Sequence, residues 1–146
     1  MAKSDASGGL SAEEREAVKQ RAKELREQEK AGKSRAAGEK ALQEVIDGLE
    51  PEDRVLAEGL RKVAGEVAPD LVPKTYYGMP GYANAEGKMV VFIQPAKKFN
   101  TRYATLGFED KANLDDGDMW SVGFAVREWT PAVEKKVAEL VRKAVS

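Results

Sequence analysis

The spacing of apolar residues changes once along the chain, and that change limits the folds open to it. Leu42, Val45, Ile46 and Leu49 recur at three- and four-residue intervals, as do Leu56, Leu60, Val63, Ala64 and Val67. This is the repeat of a helix with one buried face. It predicts helices over about 39–48 and 51–67, the second opened by Pro51 with Glu52 and Asp53 at its positive end. From Lys74 the repeat shortens. Met89–Ile93 is an unbroken apolar run, expected of a central strand covered on both faces or nearly so. In Arg102–Phe108, Tyr103, Thr105 and Gly107 alternate with Ala104, Leu106 and Phe108. Farther on, Trp120, Val122, Phe124 and Val126 share one strand face, and Ser121, Gly123 and Ala125 the other. Thr130-Pro131 is an N-cap followed by proline, and Val133, Val137, Leu140, Val141 and Ala144 form the stripe of a last helix.

Helices, then an antiparallel meander of about four short strands, then one helix make an α+β two-layer sandwich, with helices packed on one face of a mainly antiparallel sheet. Phe92, Leu106, Phe124 and Leu140 are expected in its core. The small residues Gly107, Gly123 and Ala125 imply close approach on their shared face. A tightly packed helix is the expected neighbour there, and a cavity is the alternative.

The first 38 residues read differently from the domain at 39–146. Residues 1–9 are small and polar, and disorder is expected. Ser11 and Glu14 have capping-box spacing and open a helix over 12–31. Val18, Ala22 and Leu25 give that helix a thin apolar stripe among densely alternating charges, and 32–38 reads as a linker. The helix is expected to be loosely docked or detached, or to offer residues 11–31 to a protein partner.

The chain has no cysteine and no histidine. Thiolate and imidazole catalysis, structural zinc, and haem or iron–sulfur ligation by these residues are therefore excluded. Any metal would be a hard cation on oxygen ligands. A net charge of −1 gives no overall field for nucleic acid. No apolar run has the length of a membrane span, and the N-terminus lacks a secretory h-region, so a cytoplasmic protein is expected.

Residues 74–82 (Lys-Thr-Tyr-Tyr-Gly-Met-Pro-Gly-Tyr) are the most unusual stretch. Pro80 biases Met79 towards an extended backbone. The segment is either a structural turn or the wall of a small-ligand pocket made by Tyr76, Tyr77, Met79 and Tyr82. Lys74, Gln94, Lys97, Lys98 and Arg102 fall near the expected strand ends, where two or three of them could form an anion site. Tyr103, beside Arg102, completes the candidate ligand-binding set of Lys74, Tyr76, Tyr77, Met79, Tyr82, Gln94, Lys97 and Tyr103. The acidic loop Asp110–Asp118 lacks the spacing of a calcium loop and reads as turn and cap residues. No catalytic residues stand out.

The segments Pro73–Tyr82 (PKTYYGMPGY), Met89–Phe99 (MVVFIQPAKKF) and Thr101–Trp120 (TRYATLGFEDKANLDDGDMW) resemble the YdhG-like family of small bacterial proteins, mostly of unknown function. The resemblance spans roughly 40–146 and implies a frataxin-like sandwich. One family member has been described as an intracellular iron chaperone, which implies carboxylate ligands at Glu44, Asp47, Glu50, Glu52 and Asp53. Lys40, Arg54 and Arg61 interrupt that acidic run. The leading reading is a non-enzymatic binding protein for a small molecule or anion, without a cofactor. Iron handling and a protein adaptor acting through the N-terminal helix are the alternatives.

Overall fold

The structure, a computed structural model, describes residues 11–31 and 35–146. The expected disorder of 1–9 and residues 32–34 of the expected linker lie outside them. The elements run α1 (Ala12–Ala31), α2 (Arg35–Asp47), α3 (Pro51–Val67), β1 (Val72–Pro73), β2 (Gly81–Ala83), β3 (Met89–Gln94), α4 (Ala96–Phe99), β4 (Ala104–Phe108), β5 (Gly123–Val126) and α5 (Pro131–Ala144). The strands form one antiparallel sheet in chain order, β1 to β5. The α+β class therefore holds. Residues 35–38 belong to α2, so the folded region begins earlier than 39.

Local chemistry sets the element ends. Ser11 N–H donates to Glu14 Oε1 (2.8 Å) and Glu14 N–H to Ser11 Oγ (3.0 Å), the expected capping box. Thr130 Oγ1 accepts from Val133 N–H at 3.1 Å and caps α5. In the 84–87 turn, Asn84 Oδ1 takes the N–H groups of Glu86 and Lys88, and Gly87 supplies a φ of +83°.

Pairing fixes which side chains share a face. Val91 faces Phe108, Ile93 faces Leu106, and Leu106 faces Phe124 across neighbouring strands. This is the helix side. Leu42 and Ile46 of α2, Leu60 and Val63 of α3, and Val137 and Val141 of α5 join Val91, Ile93 and Leu106 in one buried cluster. Phe124 and Leu140 are half-buried against it. Trp120 and Val122, expected on the same strand face, precede β5 and are exposed.

The opposite face departs from expectation. Gly81, Phe92, Gly107 and Gly123 form one row across four strands. No helix covers Gly107. A Cβ there would run into the Phe92 ring, which lies over it. Gly123 has open space above it, and Gly123 and Ala125 are exposed. Phe92 is thus half-buried and outside the helix-side core. A phenyl ring from the neighbouring strand fills the small-residue groove that suggested a helix.

On the helix side, Gly59 of α3 lies against Trp129, just before α5, and a Cβ there would collide with the indole. The indole N–H donates to Glu134 Oε1 (2.9 Å), and Lys62 Nζ donates to Glu134 Oε2 (2.9 Å). Gly65, in the same helix, has no heavy atom within 4 Å of an added Cβ. One substitution should therefore act with opposite sign at the two positions. Gly65→Ala should stabilise the fold by about 0.5–1 kcal/mol through helix propensity. Gly59→Ala should destabilise it by about 1–3 kcal/mol through overpacking against the indole. Urea unfolding of both variants checks this.

Candidate functional site

The segment singled out in the sequence folds into a tight turn. Tyr76 N–H donates to Met79 O (2.8 Å) and Met79 N–H to Tyr76 O (2.9 Å). Tyr77 and Gly78 both have positive φ, 53° and 78°. This is the type I′ pattern, which glycine accepts freely and tyrosine does not. Such a turn leaves successive N–H groups pointing outward, a concavity suited to an anion.

That concavity holds a carboxylate from α1. Tyr77 N–H donates to Glu24 Oε1 (2.9 Å) and Gly78 N–H to Glu24 Oε2 (2.7 Å). Glu24 is only 8 % exposed. From α4, Lys98 Nζ donates to Gly78 O at 2.8 Å. Burial lowers the pKa of Lys98, against the opposing pull of Glu24, Glu16 and Asp53. Asp53 of α3 positions this lysine. Its buried carboxylate accepts the N–H groups of Lys97 (3.1 Å) and Lys98 (3.0 Å) and so caps the short α4.

Aromatic rings stand beside the turn. Tyr76 and Tyr77 meet edge to face at 4.9 Å, and Tyr76 lies 5.2 Å from Phe92. The Arg21 guanidinium sits 5.4 Å from both tyrosine ring centres, within cation–π range. Tyr76 OH donates to Glu109 Oε2 at 2.9 Å. Burial, then this hydrogen bond, pushes the Tyr76 phenol up to about 12. Next to the turn, a cleft of about 240 Å³ opens between α1 (Ala12, Glu16, Gln20) and Lys98–Phe99.

Tyr76, Tyr77 and Met79 of the expected pocket therefore come together, and the other candidates do not join them. Tyr82 pairs with Val91 in register and faces the helices. It is 3 % exposed, its hydroxyl makes no hydrogen bond among the described residues, and burial raises its pKa. Lys74 Nζ reaches Gly87 O (2.6 Å) in the next turn. Lys97 is exposed and pairs with Glu52 at 3.5 Å. Gln94 lies in the row of Thr105 and Ala125, and Tyr103 stacks under Arg102 at 5.0 Å. The expected basic cluster is dispersed because each cation is held by its own local partner, and Lys98 alone of that group reaches the turn.

The acidic residues weighed for iron are engaged separately. Asp47 accepts from Gln43 Nε2 (2.7 Å), Glu52 faces Lys97, and Asp53 caps α4, while Glu44 and Glu50 are exposed. Among the described residues no three His, Cys, Asp or Glu side chains gather as a metal would require.

Sequence reasoning passed over Gln20, Arg21 and Glu24. The helix docks through Ala17, Gln20, Arg21 and Glu24, whereas Val18 (53 %) and Leu25 (48 %) of the apolar stripe are exposed. Positions 17, 20, 21 and 24 carry the helical repeat, but their face is polar, so apolar periodicity does not reveal it.

Among the described residues no helix is long and apolar enough to cross a membrane. No family model, curated protein or solved structure matches the chain.

Two outcomes follow from this geometry. A group whose folded pKa is raised contributes stability that is whole below its unfolded value and is lost as pH rises through the folded value. For Tyr76 that window runs from 10.0 to about 12. Absorbance titration of the phenolates should show this tyrosine ionising late, and Tyr76→Phe should reduce the late amplitude by one tyrosine, leaving that of buried Tyr82. Asp53→Ala should cost about 1–3 kcal/mol, because two amides of α4 lose a buried anionic acceptor. Denaturant midpoints measure that loss, and Asp53→Asn, which keeps one acceptor, should fall between.

Proposed function

We propose that the chain is a non-enzymatic binding domain whose 76–79 turn receives a small anionic ligand, a carboxylate or a phosphate group. One observation carries this reading. Two adjacent N–H groups hold a carboxylate that comes from a helix 53 and 54 residues away, not from the turn itself, and the Lys98 ammonium, bonded to the Gly78 carbonyl, lies within electrostatic reach of it. Hairpin-turn amides can be left to water, whereas here they are spent on an anion. Tyr76 and Tyr77 add ring surface beside the polar groups, the usual make-up of a small-ligand site. The absence of histidine and cysteine favours binding over nucleophilic or imidazole chemistry.

The test removes the internal carboxylate and supplies an external one. Full-length Glu24→Ala is titrated with acetate and with inorganic phosphate while the Tyr77 and Gly78 amide resonances are followed. A saturable shift at both amides is expected. Adding Lys98→Ala should weaken it several-fold, because a positive charge near the anion and the brace on the Gly78 carbonyl are both removed. Amides that stay unmoved up to high anion concentration overturn the reading. A parallel Fe²⁺ titration that instead perturbs Glu44, Asp47 and Glu50 would favour carboxylate-held iron.

A further inference from the structure

The face that α1 lays on the turn carries two charged groups of opposite sign, and each meets a complementary feature. Glu24 takes the paired N–H groups of Tyr77 and Gly78. One helical turn earlier, the Arg21 guanidinium stands over the Tyr76 and Tyr77 rings, each centroid 5.4 Å away. The two side chains face each other, with Arg21 Nη1 3.8 Å from Glu24 Oε1. Arg21 Nη1 and the nearby Gln20 Oε1 are buried and make no hydrogen bond among the described residues. The helix thus presents a cation and an anion to a receptor with an aromatic wall and an anion-binding turn, and it leaves buried polar atoms poorly served.

The apolar side of the same helix does not hold it down. Val18 and Leu25 face solvent, and Ala17 is the only buried apolar residue among its described side chains. Docking rests on charge-assisted contacts, which a competing ligand of the same charges can replace. An occupant with no better affinity for the open state than for the closed one would displace nothing. A ligand bearing only a carboxylate would vacate the anion position but leave Arg21 on the rings.

Resting on the anion-binding reading, we infer that α1 is a built-in occupant of the site, and that the external ligand is a small zwitterion joining a carboxylate to a guanidinium or amine. Binding of that ligand releases α1 from the turn. The carboxylate takes the amides of Tyr77 and Gly78 with Lys98 beside it, and the cation takes the place of Arg21 against Tyr76 and Tyr77. No bond is made or broken, so the ligand leaves unchanged and the helix returns.

The probes are 4-guanidinobutyrate, which carries both charges, and butyrate and methylguanidinium, which carry one each. In the full chain, 4-guanidinobutyrate should shift the Tyr77 and Gly78 amides. It should also speed hydrogen exchange along α1 without changing exchange in β3. Each single-charge probe should need about tenfold more for the same shift, as the loss of one charged contact implies. Arg21→Gln with Glu24→Gln removes the internal competitor and should tighten 4-guanidinobutyrate binding about tenfold. Glu24→Gln alone, which preserves side-chain size, should tighten it less, and it serves as the test protein should the double variant unfold.

If 4-guanidinobutyrate and butyrate bind the double variant equally, the zwitterion is rejected and the anion reading stands. If the turn amides shift while α1 exchange is unchanged, the displaceable helix is rejected. If no probe moves the turn amides even after Glu24 is neutralised, the anion reading itself falls.

Discussion

The core helices α2, α3 and α5 pack on one face of the sheet, and the arrangement of the site follows from how the other face is closed. Five short strands cannot leave a full apolar surface in water. The row Gly81, Phe92, Gly107 and Gly123 solves this by placing one large ring among residues without side chains. Phe92 lies over Gly107, and Tyr76 packs on Phe92. The hydrogen bond from Tyr76 to Glu109 ties that ring to the end of β4. Once Tyr76 is so placed, the 76–79 turn must project its amides beside α4 and within reach of α1. The anion-binding geometry is therefore coupled to how β3 and β4 pack, not only to the turn.

The contact between α1 and the domain is of another kind from the contacts within the helix-side core. Leu42, Ile46, Leu60 and Val141 are buried with no side-chain charge, and their contribution scales with apolar area. Glu24, Arg21 and Lys98 give up hydration when they meet, and that cost offsets much of the attraction. The net stabilisation from such a cluster is small beside its gross electrostatic energy, and it is sensitive to the loss of any one member. Neutralising Glu24 alone would leave Lys98 half-buried, with the carboxylates of Glu16 and Asp53 as its remaining named counter-charges.

The fold was legible wherever burial is apolar. The stripes of α3 and α5, the alternation in β4 and the caps at Ser11 and Thr130 all follow from side-chain periodicity and hydrogen-bonding capacity. The site was legible only in part. The segment Tyr76–Met79 declares itself by composition, but its partners do not. Glu24 and Arg21 look like solvated charges because a polar docking face has no hydropathy signature. Tyr82 misleads for the opposite reason. It sits in the same aromatic stretch, yet the strand pleat turns it towards the helices while Gly81 faces the other way. Neighbours along a strand point to opposite faces, so proximity in sequence did not imply a shared pocket. The basic residues were similarly deceptive, since Lys74 and Lys97 are each committed to a near neighbour, Gly87 and Glu52.

Tyr77 is the position where local preference and tertiary arrangement conflict. A non-glycine residue in the left-handed region costs about 1–2 kcal/mol, and an asparagine or glycine would form this turn with less strain. Neither would supply a ring. The Tyr77 side chain is partly exposed, so burial is not what offsets the strain. What the ring gains is its edge contact with Tyr76 and its place under Arg21. Backbone strain retained at one residue, in exchange for a ring beside two converging amides, is the pattern that ligand-clamping turns show. The conformation that strains Tyr77 is also the one that aims its N–H at the Glu24 carboxylate. Relaxing the backbone there would remove one of the two amides and swing the ring off Arg21, so the strain, the anion contact and the cation contact stand or fall together.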